Sequence, residues 1–168
     1  MAILALPTIV TLVIPTIILF LDSFSFLVWW TQSPLLLLAL TLGGITLSIG
    51  TTLLVFTIRL FSFVGQGTLA PWAPTTKLVV EGIYQHVRNP MISGVLLILL
   101  GESILFGSLG ILLWCIFFGI GNHFYFLFSE ELGLIDRFGE DYLEYMRNVP
   151  RWIPRRTPWT PTNQNDVI

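Results

Sequence analysis

The sequence predicts an all-α fold: an integral membrane bundle of about four transmembrane helices with a C-terminal amphipathic cytoplasmic helix. Three observations predict it. Apolar residues make up 54% of the 168-residue chain and charged residues only 11%, with a mean hydropathy of +0.81. That charged share is less than half of what a soluble domain carries. Four apolar stretches have the length, or nearly the length, to cross a hydrocarbon core, which takes about 20 residues per helix. All eight lysines and arginines fall on one side once those stretches are threaded across a membrane.

The first span covers about residues 2–21 and ends at Asp22, with Pro7 and Pro15 inside it. Membrane helices tolerate such prolines because neighbours re-satisfy the freed backbone groups. No Lys or Arg precedes it, so the charged leader of a secretory signal is missing and the segment is expected to stay in the mature protein. The second span, about 34–61, is rich in small residues. Gly44 and Ser48 form a small-xxx-small pair that lets another helix approach closely, in this chain or in a homodimer. The third and fourth spans, about 91–106 and 108–128, are separated only by "FGSLG" and should form a tight helical hairpin. Glu102 is expected near the far interface, as a water-exposed residue of that turn.

Charge sets the orientation. The loops 22–33 and 102–108 hold acids but no base. The positive-inside rule therefore puts both termini, the loop 62–90 and the tail 129–168 in the cytoplasm. Trp29 and Trp30 suit the opposite interface, Trp72 and Trp152 the cytoplasmic one. "GQGTLAPWAP" is dense in Gly and Pro and reads as loop. Downstream, Leu134, Ile135, Phe138, Tyr142, Tyr145 and Met146 recur at helical spacing, with Gly139 a natural break. Such a stripe lies on a membrane surface or caps the bundle. Residues 1–168 read as one domain.

The net charge of −2 provides no basic face for nucleic acid, and Cys115, the single cysteine, supports neither a disulfide framework nor a Cys-based metal site. No His, Asp and Glu cluster has metal spacing, and no Ser or Cys is paired with a base in a nucleophile motif. The polar residues that remain gather at one mouth: "GQGTLAP", "YQHVRNP", "NHFYF…SEE" and "DYLEYMRNVPRW". On a regular helix Asn122, Phe126 and Glu130 share a face, and His123, Leu127 and Glu131 share the next. Each cluster has a plainer reading, as a turn, a helix cap, a pair of solvated acids or interface anchors. Together they offer carboxylates for hydroxyls or an ammonium, aromatic faces for a cation, and arginine for a carboxylate or phosphate.

The series "GQGTLAPW", "GIYQHVRNPMISG" and "EELGLIDRFGEDYLEYMRNVPRWIP" resembles the isoprenylcysteine carboxyl methyltransferases and the related phospholipid methyltransferases. The resemblance covers about residues 62–156 plus the preceding span. It implies an integral membrane enzyme that uses S-adenosylmethionine at its cytoplasmic side and takes a lipophilic substrate from the bilayer, among membrane lipids. By motif, Tyr84, His86, Arg88, Asn89 and Pro90 occupy the R-H-P box, Glu130 and Glu131 the paired-glutamate position, and Gly65 and Gly67 the upstream glycine element. His123 joins them as a cofactor-side residue, and Arg88, Glu131 and His86 are the catalytic candidates. Asn89 stands where the box more often has histidine, and no aromatic follows at Met91 or Ile92. The acceptor decides the chemistry. A carboxylate is already ionised and needs only orienting, by Arg88 or Arg151. An amine must lose a proton to His86, His123 or a glutamate. The alternatives are a membrane reductase of the sterol type with a nicotinamide cofactor, and a non-enzymatic lipid-binding protein.

Overall fold

The computed structural model describes residues 6–21, 33–64 and 78–161. Gly65, Gly67, Trp29, Trp30 and Trp72 lie outside the described residues. Among the described residues all regular structure is helical: α1 (Leu6–Leu21), α2 (Ser33–Val64), a 3-10 turn (Gly82–Gln85), α3 (Pro90–Phe106), α4 (Leu109–Phe138) and α5 (Glu140–Asn148). Pro34–Leu60 and Leu109–Phe138 are long and apolar enough to cross a membrane, while α1 and α3 are apolar but shorter. Leu37, Leu38, Ile45 and Ile49 of α2, and Leu113, Phe117 and Phe128 of α4, point outward, as suits a lipid surrounding.

Local chemistry explains how α1 keeps its prolines. Residues Ile9–Val13 form a π-helical turn, with the Ile14 amide reaching back to the Ile9 carbonyl. Pro15 has no N–H to continue that pattern onto Val10. The indole Nε1–H of Trp114 donates to the Val10 carbonyl instead, at 3.2 Å. The Thr11 hydroxyl donates to the Pro7 carbonyl at 2.8 Å. Around this joint lies the larger apolar core, built from Val10, Leu54, Val95, Ile98 and Leu99, with Trp114 and Phe118 against it.

The closest packing is between α2 and α3, and it runs backbone to backbone. A Cβ added at Gly50 would fall 2.7 Å from the Ile98 nitrogen and 2.8 Å from the Gly94 carbonyl oxygen. One at Gly101 would fall 2.7 Å from the Leu47 nitrogen and 3.0 Å from the Gly43 oxygen. The antiparallel helices thus meet along Gly43 and Gly50 on one side and Gly94 and Gly101 on the other. Within the chain, this corrects the expectation that Gly44 and Ser48 make the close approach. A Cβ at Gly44 would meet nothing within 4 Å, and the Ser48 hydroxyl is spent on its own helix, donating to the Gly44 carbonyl. The glycines used are spaced seven apart, which keeps one face over two turns; Gly44 sits a residue off that face.

Two residues join α3 to α4. Gly107 takes the left-handed conformation (φ 59°) that a residue with a Cβ adopts only under strain, and its amide reaches the Ile104 carbonyl. Ser108 then caps α4, its hydroxyl accepting from the Ile111 amide at 3.2 Å. Because α3 stays helical to Phe106, Glu102 is not a turn residue. It is carried into the helix and is 8% exposed, which overturns the water-exposed placement. The fourth helix likewise runs on past residue 128, to Phe138. Gly139 (φ 56°) ends it, and α5 turns away. The predicted stripe faces inward. Tyr142 and Tyr145 pack with Val80 and Val149, and Leu134, Ile135, Phe138 and Met146 pack against that set.

Replacing Gly50 or Gly101 with alanine should force backbones apart and lower stability by about 1–3 kcal/mol, as overpacking of a filled interior does. Gly44→Ala should leave the melting temperature unchanged. Thermal unfolding of the detergent-solubilised variants measures the contrast.

Candidate functional site

A proline and a carbonyl position the first arginine. Pro90 fills the first helical position of α3, where its missing N–H costs nothing, and is fully buried. The Asn89 carbonyl accepts from both the amide and the hydroxyl of Ser93, at 3.1 and 3.0 Å. Arg88 therefore leaves the chain at the mouth of α3 at a fixed angle. Its amide donates to the Pro150 carbonyl at 2.9 Å, which draws the tail alongside.

The tail stays there through a run of such bonds. The Arg155 amide donates to the His86 carbonyl at 3.0 Å, and the Trp159 amide to the Gln85 carbonyl at 3.1 Å. The Tyr145 hydroxyl donates to the Tyr84 carbonyl at 2.7 Å. His86 closes the strap from its side, with Nδ1 2.8 Å from the Arg155 carbonyl. A carbonyl can only accept, so Nδ1 carries the proton.

Glu131 arrives from α4 by way of a change of helical pitch. Residues Phe126–Glu130 form a π-helical turn, and the Glu131 amide bonds the Phe126 carbonyl, five residues back. A regular repeat predicts Glu131 on the face of Leu127 and His123. The structure instead buries Glu131 over Phe126 and leaves Leu127 and Glu130 exposed. One extra residue in the turn produces this rotation, and such insertions recur at functional sites.

There Glu131 meets two guanidinium groups. Arg88 Nη1 donates to Oε1 at 2.6 Å. Arg151 grips the same carboxylate with both prongs, Nε to Oε1 at 2.8 Å and Nη2 to Oε2 at 2.7 Å. The Arg88 and Glu131 side chains are each 9% exposed and that of Arg151 is 17% exposed. Arg88 Nε is buried and makes no hydrogen bond. The Tyr142 hydroxyl lies beside this cluster; burial and then the Glu131 charge push it up, while Arg88 opposes. Burial, and after it the Glu130 charge, also raise the Tyr84 phenol far above its ordinary range. Both phenols stay neutral donors at physiological pH.

A second feature adjoins the first. Leu96, Gly119, Ile120, His123, Phe124 and Trp152 line an apolar groove of about 530 Å³. Trp152 Nε1 donates to His123 Nδ1 at 3.1 Å, and the Phe126 ring packs edge-on against the same indole.

A family model described as phospholipid methyltransferase matches residues 38–141, more than half of the chain. The chain belongs to the phospholipid methyltransferase family. Among curated proteins, a protein-S-isoprenylcysteine O-methyltransferase from Schizosaccharomyces pombe is 32% identical over 83 residues, 46% of this chain. The matched stretch is 33% of that relative, so this member of the family spans about a third of its length. The family match includes Arg88, Glu130 and Glu131 but stops before Arg151 and Trp152.

Of the residues singled out from sequence, the fold brings Arg88 and Glu131 into contact, with Asn89 and Pro90 setting the approach and Tyr84 and His86 in the strap. His123 stands apart from the ion cluster, on the groove. Sequence reasoning offered Arg151 only as a guide for an acceptor carboxylate, whereas in the structure it is bound to Glu131. The available signal was its place directly after Val149-Pro150, where α5 has ended and the chain must double back.

Removing one member of a buried ion cluster leaves uncompensated charge and costs about 3–5 kcal/mol. Glu131→Gln should therefore depress the melting temperature strongly. Arg147→Ala breaks a pair with Glu140 whose side chains are 67% and 73% exposed, and should cost close to nothing. Equal shifts for the two variants would mean that the Glu131 cluster is not closed to water.

Proposed function

We propose that this chain is an integral membrane methyltransferase that uses S-adenosylmethionine to methylate a lipophilic acceptor dissolved in the bilayer. One observation carries the reading: in a chain of this family, a buried two-arginine carboxylate cluster keeps one arginine N–H in reserve, at Arg88 Nε. When bound, S-adenosylmethionine supplies a methyl group on a positively charged sulfur. The residues here suit it. Arg88 Nε is a buried donor without an acceptor, as an amino-acid carboxylate requires. Glu130, exposed next to the cluster, can receive an ammonium or ribose hydroxyls. Tyr142 and Trp152 provide aromatic faces, which attract cations. By fixing these groups before binding, the strap supplies alignment, the main service a displacement at carbon needs from an enzyme.

In this reading α1 to α4 all cross the membrane, both termini and the site face the cytoplasm, and α5 caps the bundle with its apolar stripe turned inward. The one-sided distribution of lysine and arginine supports that orientation. The relative's name favours a prenylcysteine-type carboxylate as acceptor, and the family's description a phospholipid amine. The histidines bear on this choice. His123 Nδ1 already accepts from Trp152, so its lone pair is taken. His86 donates through Nδ1 and keeps the Nε2 lone pair. An amine acceptor would draw on His86 or Glu130 as base, and a carboxylate on neither.

Purified protein in detergent should bind S-adenosylhomocysteine, and Arg88→Ala should weaken that binding about tenfold or more, the effect of losing one charged hydrogen bond. Isothermal titration measures both. Absence of binding by the unaltered protein would sink the function; unchanged affinity in the variant would sink the assignment of Arg88.

A further inference from the structure

We infer that the corner of the tail strap from Trp152 to Arg156 is a docking surface for the cytoplasmic leaflet. Ile153 seats in the hydrocarbon boundary, and Arg156 takes the phosphate-bearing head group of an anionic lipid. The inference rests on the membrane placement given above and not on methyl transfer.

The depth comes from α4. Trp152 Nε1 donates to His123 Nδ1 at 3.1 Å, so the strap meets α4 at the level of His123. The outward apolar residues of α4 run on beyond that level, through Phe124 and Phe128 to Leu132. At 1.5 Å per residue Leu132 lies roughly 13 Å further along the helix. The strap therefore touches α4 on the membrane side of Leu132, and Ile153 is the next residue of the chain. Its side chain is 80% exposed. A single exposed apolar residue is ordinary on a soluble surface. This one is held out at a fixed place. Upstream, Arg151 grips Glu131; downstream, the amide and the carbonyl of Arg155 both bond His86. Pro150 and Pro154 stiffen the chain on either side.

The charge comes from the same stretch. Residues 150–161 hold Arg151, Arg155 and Arg156 and no acid. Two of the three are committed: Arg151 to Glu131, and Arg155 through Nη1 to the Asn148 carbonyl at 2.8 Å. Arg156 is exposed, and among the described residues it makes no ion pair. The order along the strap is an indole, an outward aliphatic side chain and then an uncommitted guanidinium. Membrane interfaces favour that order, with aromatic and apolar groups at the boundary and cations among the phosphates. A zwitterionic leaflet would seat Ile153, but only a net negative one adds attraction for Arg156.

The test uses the full chain in nanodiscs of phosphatidylcholine alone or mixed with phosphatidylserine. Ile153→p-benzoylphenylalanine is irradiated and its adducts are identified by mass spectrometry; they should be to lipid acyl chains in both discs. Amide hydrogen exchange is followed over residues 151–161. Exchange at the Arg155 and Trp159 amides should slow about fivefold in the mixed discs, the gain from one arginine at an anionic surface. Arg156→Gln should abolish the slowing and leave exchange in phosphatidylcholine alone unchanged. Arg147→Gln removes an equal charge from the exposed pair with Glu140 and should keep the slowing. Soluble glycerol phosphate should not replace the anionic lipid. Adducts confined to protein, whether the same copy or a second one, would overturn the docking surface. So would equal exchange in the two discs, equal loss in both arginine variants, or slowing by glycerol phosphate. A chain that meets these expectations yet fails to bind S-adenosylhomocysteine keeps the docking surface and loses the methyltransferase reading.

Discussion

One carboxylate organises the site. Glu131 receives three hydrogen bonds from two arginines, one 43 residues upstream and one 20 residues downstream. Taking three charges out of water costs several kcal/mol per ion, and the attraction offsets this only where the geometry is close and the lone pairs are filled. Both oxygens of Glu131 are filled, one by two donors. The forked grip of Arg151 fixes direction as well as distance, which a lysine would not do. The cluster thereby ties three segments at one point: the mouth of α3, the far end of α4 and the tail, the first and last of which the backbone strap also joins.

Each of those segments is delivered by a separate device. The glycine seam brings α3 against α2 at backbone distance, which sets where Arg88 emerges. The π turn swings Glu131 inward over Phe126. The strap of backbone bonds from Gln85, His86 and Arg88 to the tail sets the height of Arg151. Interiors are packed too tightly to absorb a misplacement in any one of them. The geometry is therefore shared among residues that lie well outside the ion cluster.

Much of this was legible in the sequence, and the gaps have physical causes. Apolar runs outlined the helices, and of the two placements open to the stripe from Leu134 to Met146, a membrane surface or a cap on the protein, its residues pack against one another and Val80. The meeting of Arg88 with the paired glutamates follows from threading the spans, which returns both to one mouth, and the fold places it on Glu131. The π turn was invisible because nothing in "FLFSE" distinguishes five residues per turn from four. The small-residue pattern of α2 does signal close approach, but Gly43 and Gly44 are adjacent and only the packing of α3 selects Gly43 for the contact within the chain. Glu102 was misplaced because a carboxylate near a predicted turn reads as solvated, and the length of α3 alone puts it inside.

The position of Arg151 downstream of α4 and α5 governs the order of assembly during synthesis. The helices can gather as they leave the ribosome, since α2, α3 and α4 contact their sequence neighbours. Until residues 150–159 emerge, however, Glu131 has only Arg88 to neutralise it, and the 84–88 turn has no backbone partner across it. The nascent bundle is a folded scaffold without a finished site, completed only once Arg151 has been added to it.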